Sequence, residues 1–531
     1  MKANKTKIHK LKAIRQNGAA LLIAMVVLAS VAAFYLMGQF GAVSQKQIRQ
    51  DNRVASLAEA KKALIAYAVN YIDSNAGEMA FLPCPDRSAG GFSEGIQDGV
   101  CEATNVNTIG RFPWRSLDLA PQYDETNECL WYAVSGYYKS NPKTQMLNED
   151  TNGLFSIFNA QGNLIYGNSP EDRVVAVIIA PNVPIQAQDR STVAGTERCK
   201  GNYTIANYLD RDAATLIDNS NLSVAADTTD DFIKAGTNST FNDLLLTITR
   251  DEIWSAVKRR RDFTTSIQTL ANNIAQCVVA YGNDTPVAGQ PSYLPWPAEV
   301  DLSLADYRID ASYVDAIPST SLLGRLADDV SNSQLALDSN SFVAGGAANL
   351  RACKKQCQTE FNACKKSCKG KTCNDACQIQ RDDCNAACSA GGTPVPTARK
   401  SIDNVITSCL IEPDLTLWKH WKDHFFYVVS GAYQPDSADA SCAGANDCVT
   451  LNGNATKYPG IVFFAGEKTA TQLRRESPDA DTKQNIINYL EGNNAANYPD
   501  AAGNKDYDST LTSDVLYCIS EGPPLSAAPC P

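Results

Sequence analysis

The strongest constraint on this 531-residue chain is that one arrangement of residues occurs in it twice. Leu82-Pro83-Cys84-Pro85 returns as Leu294-Pro295-Trp296-Pro297. Ala66-Tyr67 returns as Ala280-Tyr281, and Ile109-Gly110-Arg111 as Leu323-Gly324-Arg325, so these three offsets are 212, 214 and 214. Tyr132 to Tyr138 then returns as Tyr427 to Tyr433, Val174 to Ala180 as Pro459 to Ala465, and Asn207-Tyr208-Leu209-Asp210 as Asn488-Tyr489-Leu490-Glu491, at offsets of 295, 285 and 281. The order is kept, and the jump of about 81 residues falls in one place. That is the mark of a duplicated module with an insertion in its second copy. Each copy reads as a helix, a proline-fixed loop and short apolar strands between Gly/Asn/Asp turns. The expected class is α+β, a helix laid on an antiparallel sheet. The expected domains are 76–254 for the first module, 255–349 with 391–531 for the second, and 350–390 for the insert. The second module opens with a helix over about Trp254 to Tyr281.

Residues 1–18 carry Lys2, Lys5, Lys7, Lys10, Lys12 and Arg15 and no acid; Ala19 to Met37 carries no charge. Such a run is close to the length of a bilayer-spanning helix, and the preceding positive charges hold that end in the cytoplasm. Three readings compete: a secretory signal cut near Val31-Ala32-Ala33, an uncleaved anchor, and a leader cut after Gly18 with the apolar run retained. The residues beyond the apolar run favour the third. No proline occurs before Phe81, and Val54, Leu57, Ala58, Leu64, Ile65, Ala68 and Ile72 continue a helical apolar face. One membrane and spine helix over 19–75 is therefore expected.

The basic leader, Gly18, the run from Ala19 to Leu28 and the amphipathic continuation resemble type IV pilins and type II secretion pseudopilins. The resemblance covers about the first 75 residues. It implies cleavage by a prepilin peptidase between Gly18 and Ala19, methylation of the new N-terminus, and assembly with other pilins or pseudopilins through the N-terminal helix. It also implies an inner-membrane location, N-terminus cytoplasmic and body periplasmic, before delivery to a filament tip or the cell surface. The sequence departs from the family at Ala19, where phenylalanine is usual, and at Ile23, where most members have the glutamate that pairs with a neighbour's terminal amine. An amine buried without that partner is costly. The departure points to a minor, tip-located subunit. The rival reading is a membrane-anchored periplasmic or extracellular binding protein or enzyme with no filament role.

The 18 cysteines suggest disulfides and an oxidising compartment. Eight lie in the insert: Cys353, Cys357, Cys364, Cys368, Cys373, Cys377, Cys384 and Cys388. Their gaps of 4, 7, 4, 5, 4, 7 and 4 form a palindrome about Lys369-Gly370-Lys371-Thr372. On a helix each group of four shares a face, so the segment reads as an antiparallel helical hairpin. Register then pairs Cys353 with Cys388, Cys357 with Cys384, Cys364 with Cys377 and Cys368 with Cys373. Thiolate metal clusters are the competing reading. Outside the insert, Cys84–Cys101, Cys442–Cys448 and Cys518–Cys530 are candidate local pairs, with Cys129–Cys199 and Cys277–Cys409 as the remainder; the sequence leaves the connectivity of these ten open.

The net charge is -11, and -17 once residues 1–18 are removed, so the body as a whole repels nucleic acid and anionic membranes. Arg351 to Asp383 is the exception at +4, with Lys369 and Lys371 at the hairpin turn, a candidate contact for an anionic surface or polymer. Catalytic signals are scarce. There are three histidines, and only His420 and His424 share a helical spacing suited to a metal; a buried aromatic segment is the favoured reading there. Glycine-framed serine elbows and phosphate loops are absent, and no nucleophile–base set recurs in both modules, so no enzyme activity is expected. Asp500, Asp506 and Asp508, in a late glycine/asparagine loop, are a candidate Ca2+ site. The basic run Lys258 to Arg261 reads as a solvated linker face.

Overall fold

The computed structural model describes residues 54–531 except 88–93, 186, 195, 284–291, 299, 301–321, 327–342, 435–439, 445–446, 475–479, 499–504 and 512–513. Within 345–404 it describes only 357–358, 361–362, 364–366, 374, 377–378, 381–382, and 392–393. The described residues form an α+β structure with more strands than helices.

The first described element, helix α1 (54–70), buries Leu57, Ala60, Leu64 and Ala68 along one face and carries Glu59, Lys61 and Lys62 beside that stripe. It runs into a short 3-10 turn, Tyr71–Asp73, and the Asn75 side-chain amide then donates to the Tyr71 carbonyl. Two expectations are corrected here. Among the described residues no helix is long and apolar enough to cross a membrane. The long apolar membrane and spine helix over 19–75, and the single-pass inner-membrane anchorage built on it, are therefore not supported. Residues 19–53 lie outside the described residues, and the described part, α1, is an amphipathic helix whose apolar stripe is buried against the protein itself.

The first sheet contains β1 (Thr108–Arg111), β2 (Trp131–Val134), β3 (Phe155–Asn159), β4 (Leu164–Tyr166), β5 (Val174–Ala180), β6 (Asp230–Lys234) and β7 (Leu244–Thr249). β1, β2, β5 and β7 lie side by side and antiparallel; β3 joins the end of β5 and carries β4 and β6. Thr249 ends β7 and caps α2 (Arg250–Lys258) in a capping box with Glu252. After a break at Arg259 and Arg260, α3 (Arg261–Asn283) begins the second half. β8 (Leu323–Arg325) comes next, then a two-stranded pair, β9 (Val343–Ala344) with β10 (Gly392–Thr393), that brackets the insert. Helix α4 (Asp414–Trp421) leads through a 3-10 turn into β11 (Phe425–Val429). β12 (Val449–Leu451), β13 (Lys457–Tyr458), β14 (Gly460–Phe464), α5 (Gly492–Ala496), β15 (Asp506–Tyr507), β16 (Val515–Ser520) and β17 (Ser526–Pro529) complete the chain.

The second sheet runs β17-β16-β14-β11-β8, all antiparallel, so β8-β11-β14-β16 repeats the pattern β1-β2-β5-β7. The register repeats too: Gly110 stands opposite Tyr132 as Gly324 stands opposite Tyr427, and Trp131 opposite Ile179 as Phe426 opposite Phe463. This pairing matches Ile179 with Phe463, one residue away from the sequence alignment of Val174 with Pro459. The difference matters because a one-residue slip would exchange the two faces of the strand.

Side chains alternate between two environments along the strands. Tyr132, Val134, Tyr427, Val429, Val462 and Phe464 enter one apolar cluster that also holds the buried faces of α1, α2, α3 and α4. That cluster runs through both halves, so the duplicated modules share a core. The opposite faces are covered separately, by Trp131, Ile157, Tyr208 and Phe232 in the first half and by Phe426, Phe463, Tyr489 and Tyr507 in the second.

The recurrent motifs have structural reasons. Leu82 N–H donates to the Tyr138 carbonyl as Leu294 N–H does to Tyr433, fixing the proline loop to the end of the central strand. Asp86 and Arg111 exchange two backbone hydrogen bonds, as do Ala298 and Arg325. A Cβ at Gly110 would lie 2.7 Å from the Asp86 carbonyl, and one at Gly324 2.0 Å from the Ala298 carbonyl. Glycine at these two positions lets the loop cross the strand.

Disulfides join Cys84–Cys101, Cys129–Cys199, Cys277–Cys409, Cys442–Cys448 and Cys518–Cys530, the five pairs named from the sequence outside the insert. In the insert Cys364 is bonded to Cys377, and the Arg381 guanidinium lies over the Phe361 ring at 4.8 Å, bringing the two arms together. Cys357 is also disulfide-bonded.

Candidate functional site

Several sequence candidates lie outside the described residues: Gly18, Ala19, Asp500, Lys369, Lys371, Cys353, Cys368, Cys373, Cys384 and Cys388. Asp506 and Asp508 are described. The Asp506 carboxylate accepts from Thr450 Oγ1 and Gly453 N–H, while Asp508 accepts from Thr510 N–H and Oγ1. Asp506 thus ties β15 to β12 and the turn after it, and Asp508 ties its own loop. The basic linker is less solvated than expected. Lys258 bridges Glu149 and Glu467 at 2.8 and 2.7 Å, and Arg260 pairs with Asp73 and Asp262.

Each half is organised by two arginines around one tyrosine. Arg111 donates to the carbonyls of Lys200 and Asn202 and lies 5.6 Å from the Tyr208 ring centre; Arg325 donates to the carbonyls of Asp423 and Lys483 and lies 5.1 Å from Tyr489. From the other side Arg190 donates to the Asn207 carbonyl and covers Tyr208, as Arg474 does with Asn488 and Tyr489. Gln188 holds Asp210 at 2.9 Å, and Gln472 holds Glu491 at 3.0 Å. Guanidinium groups suit this place because their donors form a planar fork that also stacks on rings. Arg190 and Arg474 escaped the sequence reading; the recurrence of Gln188-x-Arg190 as Gln472-x-Arg474 is the signal that would have found them.

The second half adds what the first lacks. At the end of α4, residues 420–424 meet residues 147–150 of the first half. Leu147 N–H donates to His420 Nδ1 at 3.0 Å, and Asn148 Nδ2 donates to the His420 carbonyl and to Asp423 Oδ1. His424 sits between two carboxylates: Nδ1 is 2.9 Å from Asp423 Oδ1, and Nε2 is 3.2 Å from Asp150 Oδ2. Lys483 Nζ is 2.6 Å from Asp423 Oδ2 and 4.0 Å from Asp150 Oδ2. All four side chains are 0% exposed. Trp421, Phe464 and Tyr489 wall the imidazole, with Phe464 stacked at 5.8 Å. His424 occupies the position that Cys129 takes in the first half, where the disulfide to Cys199 is made instead.

Burial opposes every charge here, and the partners outweigh it. Asp423 and then Asp150 raise the His424 pKa above its ordinary 6.5. His424, Lys483 and Arg474 together hold the Asp150 carboxyl far below the usual carboxylate range, and Lys483 and His424 do the same for Asp423. Imidazolium and ammonium thus balance two carboxylates inside the protein, the condition under which buried charges are tolerated.

Two chemistries are disfavoured by this arrangement. Donor atoms of Glu149, Asp150 and His424 lie within 4.8 Å of one another, near enough for a metal ion. Glu149, however, already has Lys258 at 2.8 Å and Arg474 at 3.7 Å, and Lys483 stands beside Asp150. A divalent ion would enter among three cations and would have to displace the His424 proton, so the donor set does not fit one. General-base catalysis is disfavoured because both imidazole nitrogens face carboxylates, leaving none for a nucleophile.

No family model, no curated protein and no solved structure matches this chain. The role of the site therefore rests on its own chemistry. Glu149, Asp150 and Asp423 with Lys258, Arg474, Lys483 and His424 form an ionic clasp between the two halves.

Proposed function

We propose that this chain is a non-enzymatic structural subunit of a type IV pilus-class filament, seated at or near the tip. One observation carries the reading. The residues that recur in both halves, Gly110 with Gly324, Arg111 with Arg325 and Tyr208 with Tyr489, are all spent on internal packing and hydrogen bonding. A helix-on-sheet module was duplicated as scaffold, and the acids that recur with it, Asp210 and Glu491, are held by Gln188 and Gln472. The oxidised cysteines suit work outside the cytoplasm. The proposed partners are a prepilin peptidase acting at Gly18–Ala19, other pilin-class subunits, and an anionic surface or polymer touched by Lys369 and Lys371.

The deciding experiment is quantitative mass spectrometry of sheared, purified filaments. The expected result is this chain at low copy, with Ala19 as its first residue. Absence from filaments, or presence as the most abundant subunit, overturns the proposal. Deleting 351–389 is expected to leave the two halves folded and to weaken adhesion to anionic surfaces.

A further inference from the structure

The clasp has a property set by the valence of imidazole. A protonated ring carries two N–H groups: Nδ1 is hydrogen-bonded to Asp423 at 2.9 Å, and Nε2 faces Asp150 Oδ2 at 3.2 Å in an ion-pair contact without hydrogen-bond geometry. A neutral ring has only one. Losing the proton turns one nitrogen lone pair toward a fully buried carboxylate and leaves the cluster one negative charge in excess. Water cannot screen either effect at 0% exposure. The neighbours do not cancel it. From the first half, Glu149 faces the site and is held by Lys258 and Arg474; Arg250 spends its guanidinium on Asn152 Oδ1 and its own neighbour Asp251. From the second half, Lys483 is committed to Asp423, and Tyr489 O–H lies 3.5 Å from Asp423 Oδ2. Arg325 donates to backbone carbonyls, and Lys468 lies near enough to feel Asp150. His420 acts in the opposite sense, because its Nδ1 must stay unprotonated to accept from Leu147 N–H.

We infer that the His424 proton is the pin of a pH-operated clasp: with it, segment 147–150 of the first half is locked onto residues 420–424 of the second; without it, that segment is released while the shared apolar core stays closed. The halves would stiffen at mildly acidic pH and loosen in alkaline surroundings. This inference does not depend on the filament reading.

The test is amide hydrogen exchange on the full disulfide-bonded chain between about pH 5 and 9, followed at Leu147 and the peptide 147–152 and corrected for the intrinsic pH dependence of exchange. The His424 ring is titrated in parallel by NMR. Protection at 147–152 is expected to be level below the ordinary imidazole value of 6.5, to fall about tenfold per pH unit from there to the ring's raised titration midpoint, where release is half complete, and to level off above it, so that the two midpoints coincide. In His424→Gln, which never carries the charge, protection is expected to be low and flat. Protection that stays constant while the ring titrates, midpoints more than about one unit apart, or an equal fall in His424→Gln each overturns the clasp. A fall toward acid, which would be the signature of His420, overturns it as well. If His424→Gln does not fold, the coincidence of midpoints in the native chain still decides.

Discussion

At the scale of single residues, charge is placed where only a partner makes it tolerable. Asp150, Asp423, His424 and Lys483 are each fully buried, and none would be stable there alone. Replacing Asp150 with Asn should leave the imidazolium and Lys483 short of one anion. Breaking a buried pair from one side costs about 3–5 kcal/mol, so Asp150→Asn is expected to lose that much in urea-induced unfolding. A double variant with His424→Gln should lose less than the sum of the two, since the residues are in contact. Additive losses would show that the clasp is not one unit. A second class of buried acid is paired with another acid: Asp243 against Asp210, and Asp514 against Glu491. Burial, then the neighbouring carboxylate, raises Asp243 well above its ordinary range and pushes Asp514 up to about 7.

At the scale of elements, the two halves use the same joints. β8 and β1 both pass beneath a loop whose backbone bonds to the strand, which is why the motif contains glycine. With 2.0 Å to the Ala298 carbonyl, a methyl group at Gly324 cannot be accommodated without moving backbone. Gly324→Ala is expected to cost about 1–3 kcal/mol and Gly110→Ala to be destabilising for the same reason, whereas Gly236→Ala, with nothing within 4 Å, should be close to neutral by comparison. Equal thermal stability of the three variants would count against the crossing-loop explanation. Cys277–Cys409 fastens α3 to the segment before α4 across 132 residues. Replacing both cysteines with serine should cost about 2–5 kcal/mol, measured by thermal unfolding under non-reducing conditions.

At the scale of the whole molecule, the titrating groups combine into one pH profile. Asp150 and Asp423 have lowered folded pKa values, so their contribution is present above the unfolded value of 3.8 and is lost as the pH falls below it. His424 is raised, so its contribution is present below 6.5 and is lost as the pH rises through the folded value. Asp514 acts in the same sense as His424, losing its contribution between 3.8 and about 7. Stability is therefore expected to peak in mildly acidic solution, at roughly pH 4–6, and Asp514→Asn should flatten the decline on the alkaline side. Unfolding midpoints that rise steadily from pH 5 to 8 would contradict this profile. Because one apolar cluster runs through both sheets, unfolding is also expected as a single transition.

What the sequence determined by itself was whatever repeats or pairs locally. The duplication, the α+β plan, the recurrence of Gly110 as Gly324, and the three local disulfides are legible because turn chemistry, strand alternation and cysteine spacing act over short distances, whereas Cys129–Cys199 and Cys277–Cys409 followed only as the remainder. The apolar stripe of α1 was legible too, but its extension into one membrane-crossing helix was not upheld, because hydrophobic periodicity marks a face without saying what covers it. Only the tertiary structure decided that the modules share a core. It also decided that Asp150, from a loop in the first half, meets His424 and Lys483, 274 and 333 residues further along. A histidine beside an aspartate in a strand-leading turn reads as ordinary in one dimension. Its charge acquires meaning when folding removes the water and brings a second carboxylate to the opposite nitrogen.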